Sequence, residues 1–322
     1  MPRRCFPLAD PAAAALGLEL CREIAGRANA NFLHAARLLS RPRQDFFFAT
    51  YAAMRVIDDF VDETFLVQPP EQRESGRDAA LRTVADWSAQ CVSFQAKPGP
   101  LHGDIVAALA ATVGRSDLGQ WPWPALATAM RADVEEREMR SWSDFLAYCD
   151  GATVAPAAIF IYLLAAEPDA ERGFRYGLDI PARDHAIDLA IYCYIVHILR
   201  DLSKDAERSP RLITIPADML GAVGLARDDL GRALRDKSPA IGALAGLLIE
   251  KALPHREAGH ASLRAVGADL GLVERGALNG LIAVYDRLFE SARKDALKVA
   301  LEGPAMEVAL QRDLLRARDE DE

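Results

Sequence analysis

The stretch Tyr51-Ala52-Ala53-Met54-Arg55-Val56-Ile57-Asp58-Asp59-Phe60-Val61-Asp62-Glu63 gathers four carboxylates and one arginine at the end of an otherwise apolar run. Working outward from it, residues 46–61 are apolar around most of a helix's circumference, the mark of a helix buried within a bundle rather than lying on its surface. The spacing stacks Asp58 and Asp62 on one helix face, with Arg55 three residues before Asp58. Burying that many charges without partners costs on the order of several kcal/mol. A cation is the simplest compensation.

A second stretch repeats the arrangement. In His197-Ile198-Leu199-Arg200-Asp201-Leu202-Ser203-Lys204-Asp205-Ala206, two aspartates again stand four apart, an arginine directly precedes the first, and residues 188–199 ahead of it are largely apolar. Like charges at this spacing destabilise a bare helix by a few tenths of a kcal/mol, roughly. A hard divalent cation such as Mg²⁺ reverses that sign, because it binds one or two carboxylates and completes its shell with water and phosphate oxygens. Two such helices facing each other would frame a diphosphate between metal ions, with the arginines on its remaining oxygens. A lone D-x-x-x-D is a weak signal, and Arg183-Asp184-His185-Ala186-Ile187-Asp188 supplies a decoy. At about 100° per residue, Asp188 lies roughly 140° around the helix from Asp201. The decoy also follows Pro181, where acidic residues suit a helix N-terminus.

The rest of the chain fits an all-helical fold. Apolar residues recur at helical spacing over 16–39, 45–65, 77–94, 123–139, 142–164, 183–202, 240–266, 273–299 and 306–316. Breaks fall at the Gly- and Pro-bearing segments 97–100, 119–124 and 167–169, and no strand pair with a hairpin signal stands out. The 322 residues are read as one helical bundle without repeats or linkers. The charge sum of 38 basic against 47 acidic residues, net −9, disfavours a broad nucleic-acid surface. Five separated cysteines, Cys5, Cys21, Cys91, Cys149 and Cys193, with no C-x-x-C, point to free thiols in a reducing compartment. Asp10 and Glu19 interrupt any signal-peptide core after Arg3 and Arg4. The longest uncharged stretch, 151–166, holds Pro156 and falls short of the roughly 20 residues of a membrane span.

These motifs resemble the squalene/phytoene synthase family, which joins two prenyl diphosphates head to head. Residues 51–63 are similar to its Y-A-x-x-R-x-x-D-D-x-x-D-E helix, and residues 197–206 to its N-I-L-R-D-x-x-x-D-A helix. Between them, Phe145-Leu146-Ala147-Tyr148-Cys149 followed by Gly151-Ala152-Thr153-Val154 resembles Y-C-x-x-x-A-G-T-V-G, and Asp133 falls where the family often has M-D-L. The likeness is ordered over residues 25–220. It implies the all-α class I isoprenoid synthase bundle around a central apolar cavity, and a Mg²⁺-dependent prenyl transferase using farnesyl or geranylgeranyl diphosphate. By the same resemblance Asp58, Asp62, Asp201 and Asp205 are metal ligands with Asp59 auxiliary, and Arg55 and Arg200 contact diphosphate. The resemblance also implies a role for Tyr148 near the reacting centre, while Phe32, Tyr51 and Tyr194 are read here as cavity-lining residues.

The sequence departs from the family pattern in four places. Asn29-Ala30-Asn31-Phe32 replaces S-x-S-F, and asparagine retains donors and acceptors for a diphosphate. Tyr194-Ile195-Val196-His197 replaces Q-x-x-N on the aspartate face, so His197 is assigned a catalytic role, with a hydrogen-bonded core histidine as the alternative. Pro156 is expected to bend the helix after Tyr148. Residues 208–216 lengthen the R-x-Y-L-P loop by about two residues and place Thr214 where tyrosine is expected. A terpene cyclase or hydrolase acting on one prenyl diphosphate, and a non-catalytic scaffold, stay open beside the main reading. So do NADPH use, a monomer or homodimer, and peripheral membrane contact of a cytoplasmic protein.

Overall fold

The computed structural model describes residues 10–28, 31–169 and 173–321, with side chains described through residue 309. Fourteen α-helices run from α1 (Pro11–Ala28) to α14 (Ala296–Asp321) among them. The described residues gather into two compact units, one drawn from 10–137, 150–187 and 264–277, the other from 138–149, 188–263 and 278–321.

In the first unit α3 (Arg41–Asp59) carries the leading motif through Asp59. Pro42 opens it, where a missing N–H costs nothing. Phe46, Ala49, Ala52, Ala53 and Ile57 are wholly buried, so burial of this face, rather than helix propensity, stabilises it. It packs against α1, α5 (Gly103–Ala111) and α8 (Ala155–Ala165). Gly17 lets α1 reach α5, because a Cβ there would stand 1.9 Å from the Asp104 carbonyl oxygen. Trp87 of α4 (Pro70–Ser93) donates its indole N–H to Ala53 O at 2.7 Å, tying α4 to the middle of α3.

Two helices contain π-helical turns that the periodicity does not reveal. Phe60–Phe65 continues α3 with a π turn, and Leu66 N accordingly bonds Val61 O, five residues back, at 2.9 Å. Asp150–Val154 does the same between α7 (Trp142–Cys149) and α8. Pro156 explains the second: it cannot donate to the preceding turn, so the expected bend takes the form of a widened turn with proline at the start of α8. Gly151 sits in that turn because a Cβ would come within 2.1 Å of Ala125 O on α6 (Pro122–Val134).

Two expectations are corrected. Residues Ala166–Asp169 and Gly173–Tyr176 form a small antiparallel hairpin where the sequence pattern shows no strand pair. Four-residue strands, one containing Pro168, are too short to show alternation. The predicted helix 16–39 is also divided, into α1 and the short α2 (Asn31–Ala36). Residues 142–165 are long and apolar enough to cross a membrane by length and composition. Every residue of 158–165 is buried against protein, however, as in a core helix.

In the second unit α9 (Ala182–Arg208) carries the second motif on residues 188–208. Its decoy aspartate, Asp188, is held by His255 at 2.8 Å, and Tyr192 one turn on donates to Asp286 at 2.8 Å. Asp286 also receives His260 at 2.9 Å and Arg256 at 3.3 Å. This face of α9 is therefore bound to its neighbouring helices, as the angular argument anticipates.

Candidate active site

The first cluster leaves α3 as that helix passes into its π turn. Arg55 Nη1 lies 3.2 Å from Asp58 Oδ2, and the same guanidinium pairs with Asp59 and, at 3.5 Å, with Glu63. Burial opposes the arginine's charge, but Asp58 and Asp59 outweigh it and raise its pKa above the ordinary value. Asp59 Oδ1 is buried against the Arg55 guanidinium, whose Nε has no hydrogen-bond partner. The Asp58 and Asp59 side chains remain 40% and 43% exposed. Asp62 lies inside the π turn Phe60–Phe65, whereas Asp58 is on the α-helical part of α3.

Tyr51, one turn before Arg55, stacks on Phe47 at 5.4 Å between ring centroids, and burial pushes its phenol up to about 12. Phe160 joins Phe47 to Phe32 by edge contacts, the latter at 5.1 Å. Phe32 and Tyr51 thus belong to one aromatic cluster on the first unit. Asn31 is buried at the start of α2, and Asn29 lies outside the described residues, as does Cys5.

The second cluster is built differently. Arg200 chelates both carboxylate oxygens of Asp201, Nε to Oδ1 at 2.7 Å and Nη2 to Oδ2 at 2.8 Å. Its Nη1 reaches Glu307 of α14 at 2.5 Å. The side chains of Arg200, Asp201 and Glu307 are only 10%, 8% and 15% exposed. Burial alone would raise the Asp201 pKa, but hydrogen bonds from Arg200 and His197 overturn that and hold it far below the usual carboxylate range. Asp205 goes the other way, raised by burial and by the neighbouring charge of Asp201.

His197 is not a core histidine. Its side chain is 44% exposed, with Nε2 3.2 Å from Asp201 Oδ2. Beside it runs an aromatic series: Trp142 stacks on Phe145 at 4.5 Å, Phe145 on Tyr194 at 6.0 Å, and Tyr148 and His197 flank Tyr194 at 6.4 and 6.3 Å. The Tyr194 hydroxyl donates to Thr214 Oγ1 at 3.1 Å. The two residues that depart from the family pattern, one on the helix and one in the following loop, are therefore partners.

Several buried ion-pair partners carry no sequence signal. Glu136, at a positive φ of 49°, holds Arg73 and Arg77, each at 2.7 Å, and Arg73 also bonds Gln68 O just beyond the π turn. Glu307 and Gly303 on α14 escape the sequence reading as well, since nothing local marks them as neighbours of Arg200. Among the described residues, no three His, Cys, Asp or Glu side chains gather closely enough to hold a metal by themselves.

A sequence profile described as squalene/phytoene synthase matches residues 25–302. The chain belongs to the squalene/phytoene synthase family. Membership places it among the prenyl-transferring synthases, which act on prenyl diphosphates. This family member is 25% identical over 222 residues to the phytoene synthase of Arthrospira platensis, covering 68% of this chain and 67% of that protein. It is 22% identical over 215 residues to the chloroplastic phytoene synthase 2 of Oryza sativa subsp. japonica, covering 66% of this chain and only 48% of that one. The chain thus spans about half the length of the rice relative it matches. Its fold is shared with the crystal structure of a dehydrosqualene synthase, with a TM-score of 0.66 at 17% identity, covering 97% of this chain and 100% of that one. The family match runs through both carboxylate clusters.

Proposed function

We propose that this family member is a Mg²⁺-dependent transferase that condenses two prenyl diphosphates of fifteen or twenty carbons head to head, its 322 residues acting as one domain. The observation that carries the reading is the doubled carboxylate–arginine helix, at Arg55 with Asp58 and Asp59 and at Arg200 with Asp201, in a chain of this family.

The residues fit a divalent cation by their donor chemistry. All are hard carboxylate oxygens, and the Asp58 and Asp59 side chains are accessible. Asp58, Asp59, Asp62, Asp201 and Asp205 are the proposed holders, each cluster contributing too few groups to close a shell without phosphate and water. When bound, Mg²⁺ neutralises charge developing on the departing diphosphate. Arg55, Arg200, Asn29 and Asn31 are proposed to bind the diphosphate oxygens, which positions the leaving group. The allylic carbon–oxygen bond breaks with its electron pair leaving on diphosphate. The double bond of the second substrate supplies the electrons for the new carbon–carbon bond, and the carbocation this leaves is neutralised by loss of a proton to the released diphosphate. Phe32, Tyr51, Tyr148 and Tyr194 exclude water from the cation so formed, and His197 is assigned beside the reacting centre. The free, buried thiols of Cys21, Cys91 and Cys149 support a cytoplasmic setting.

Mass identification of products from farnesyl and geranylgeranyl diphosphate, with and without Mg²⁺, tests this reading. The expected result is a coupled C30 or C40 product and released diphosphate only with the cation. No diphosphate release from either substrate would contradict it. A second reading, cyclisation or hydrolysis of one prenyl diphosphate, is favoured by the half-exposed His197 and by Tyr194 in place of the family's amides. It predicts a single-substrate terpene or prenyl alcohol in the same assay.

A further inference from the structure

The C-terminal helix approaches the second cluster with unusual closeness. Gly303 of α14 lies directly on Arg200: a Cβ at position 303 would stand 2.4 Å from Arg200 O and 2.6 Å from its Cα. Any larger residue would push the two helices apart. One turn later, Glu307 accepts Arg200 Nη1 at 2.5 Å, with its side chain 15% exposed. The glycine contact fixes the register of α14 on α9, and that register delivers the carboxylate.

The guanidinium is almost fully committed. Of its five N–H groups, Nε–H and one on Nη2 go to Asp201, the second Nη2 hydrogen lies toward His197 Nδ1 at 3.2 Å, and one on Nη1 goes to Glu307. The Glu307 contact on one edge leaves the opposite edge to chelate Asp201 with both oxygens. A planar fork anchored on two edges cannot swing about its long stem, so the orientation of the Asp201 carboxylate is set by a residue about a hundred positions away in the chain.

We propose that Glu307 is a positioning residue of the diphosphate–cation site, acting through Arg200 to hold Asp201 in a fixed orientation, with Gly303 as the contact that sets its register. This rests on the assignment of Asp201 to cation binding above. Outer-sphere partners of this kind typically change metal affinity or activity by about 10–100-fold when removed.

The test follows the thermal shift produced by Mg²⁺ with inorganic pyrophosphate, together with kcat and KM for the prenyl diphosphate. Glu307→Ala is expected to raise the half-saturating Mg²⁺–pyrophosphate concentration and KM by about 10-fold or more, with a smaller change in kcat. Glu307→Asp should recover most of this, and Glu302→Ala, an exposed acid on the same helix, should behave as the parent. Adding Glu307→Ala to Arg200→Lys should change the midpoint by less than about 2-fold, because the two act in series. Should Glu307→Ala fail to fold, Glu307→Gln gives the same comparison with size retained. A parent-like midpoint in the Glu307 variants, or a full multiplicative effect in the double variant, overturns the proposal. A parent protein that neither shifts with Mg²⁺–pyrophosphate nor releases diphosphate overturns the functional reading itself, and this inference with it.

Discussion

The two aspartate helices carry nearly the same motif in opposite electrostatic conditions. At Arg55 one guanidinium is shared among Asp58, Asp59 and Glu63, all of them 40–51% exposed. At Arg200 one guanidinium serves Asp201 and Glu307, both at or below 15% exposure. Water screens the first set, so its ion pairs are weak and exchangeable. The second set is desolvated, so each partner depends on the others. The comparison teaches that a D-x-x-x-D motif does not define one kind of site. The first cluster is open to an incoming cation, whereas the second is assembled in advance by its own protein.

The sharpest way to break that contrast is to remove each arginine. Arg200→Ala takes the shared guanidinium from two buried carboxylates, leaving Asp201 only His197 and the more distant Lys204, and is expected to cost about 3–5 kcal/mol of stability, while Arg55→Ala costs under about 1 kcal/mol, both read by denaturant unfolding. Equal losses would erase the distinction. A smaller effect is expected at Gly303→Ala, where the Cβ meets Arg200 backbone atoms at 2.4 Å. Overpacking there should cost about 1–3 kcal/mol, and a neutral result would show that α14 is not in tight register with α9. The smallest effect belongs to Asp58→Asn, whose stability should stay within about 0.5 kcal/mol of the parent because the side chain is 40% exposed.

Much of this is legible in the sequence for identifiable physical reasons. The helices around residues 46–61 and 188–199 announce themselves because acids at the end of an apolar circumference are costly to bury unless a charge offsets them. Asp188 can be set aside from Asp201 by helix geometry alone, and its bond to His255 agrees. The likeness of residues 51–63 and 197–206 to one family leads to the fold that the family match and the shared architecture bear out. What stays hidden is non-local or sub-helical. Glu307 and Gly303 are ordinary residues until α14 lies on α9, and no periodicity marks them. The π turn at Phe60–Phe65 shifts the hydrogen-bond ladder by one residue without changing the apolar pattern, so helical spacing does not reveal that Asp62 sits within it. The Tyr194–Thr214 bond is visible in the sequence only as two unrelated departures from the family pattern.

The central claim, that the open cluster works with a cation on a prenyl diphosphate, is tested most directly by diphosphate release from farnesyl and geranylgeranyl diphosphate across a Mg²⁺ titration, comparing the parent with Asp58→Asn. The account predicts Mg²⁺-dependent release by the parent and a loss of about 100-fold or more in a variant that remains folded, an effect of at least about 2.7 kcal/mol on the barrier. Equal release by parent and variant, or release indifferent to Mg²⁺, would contradict it.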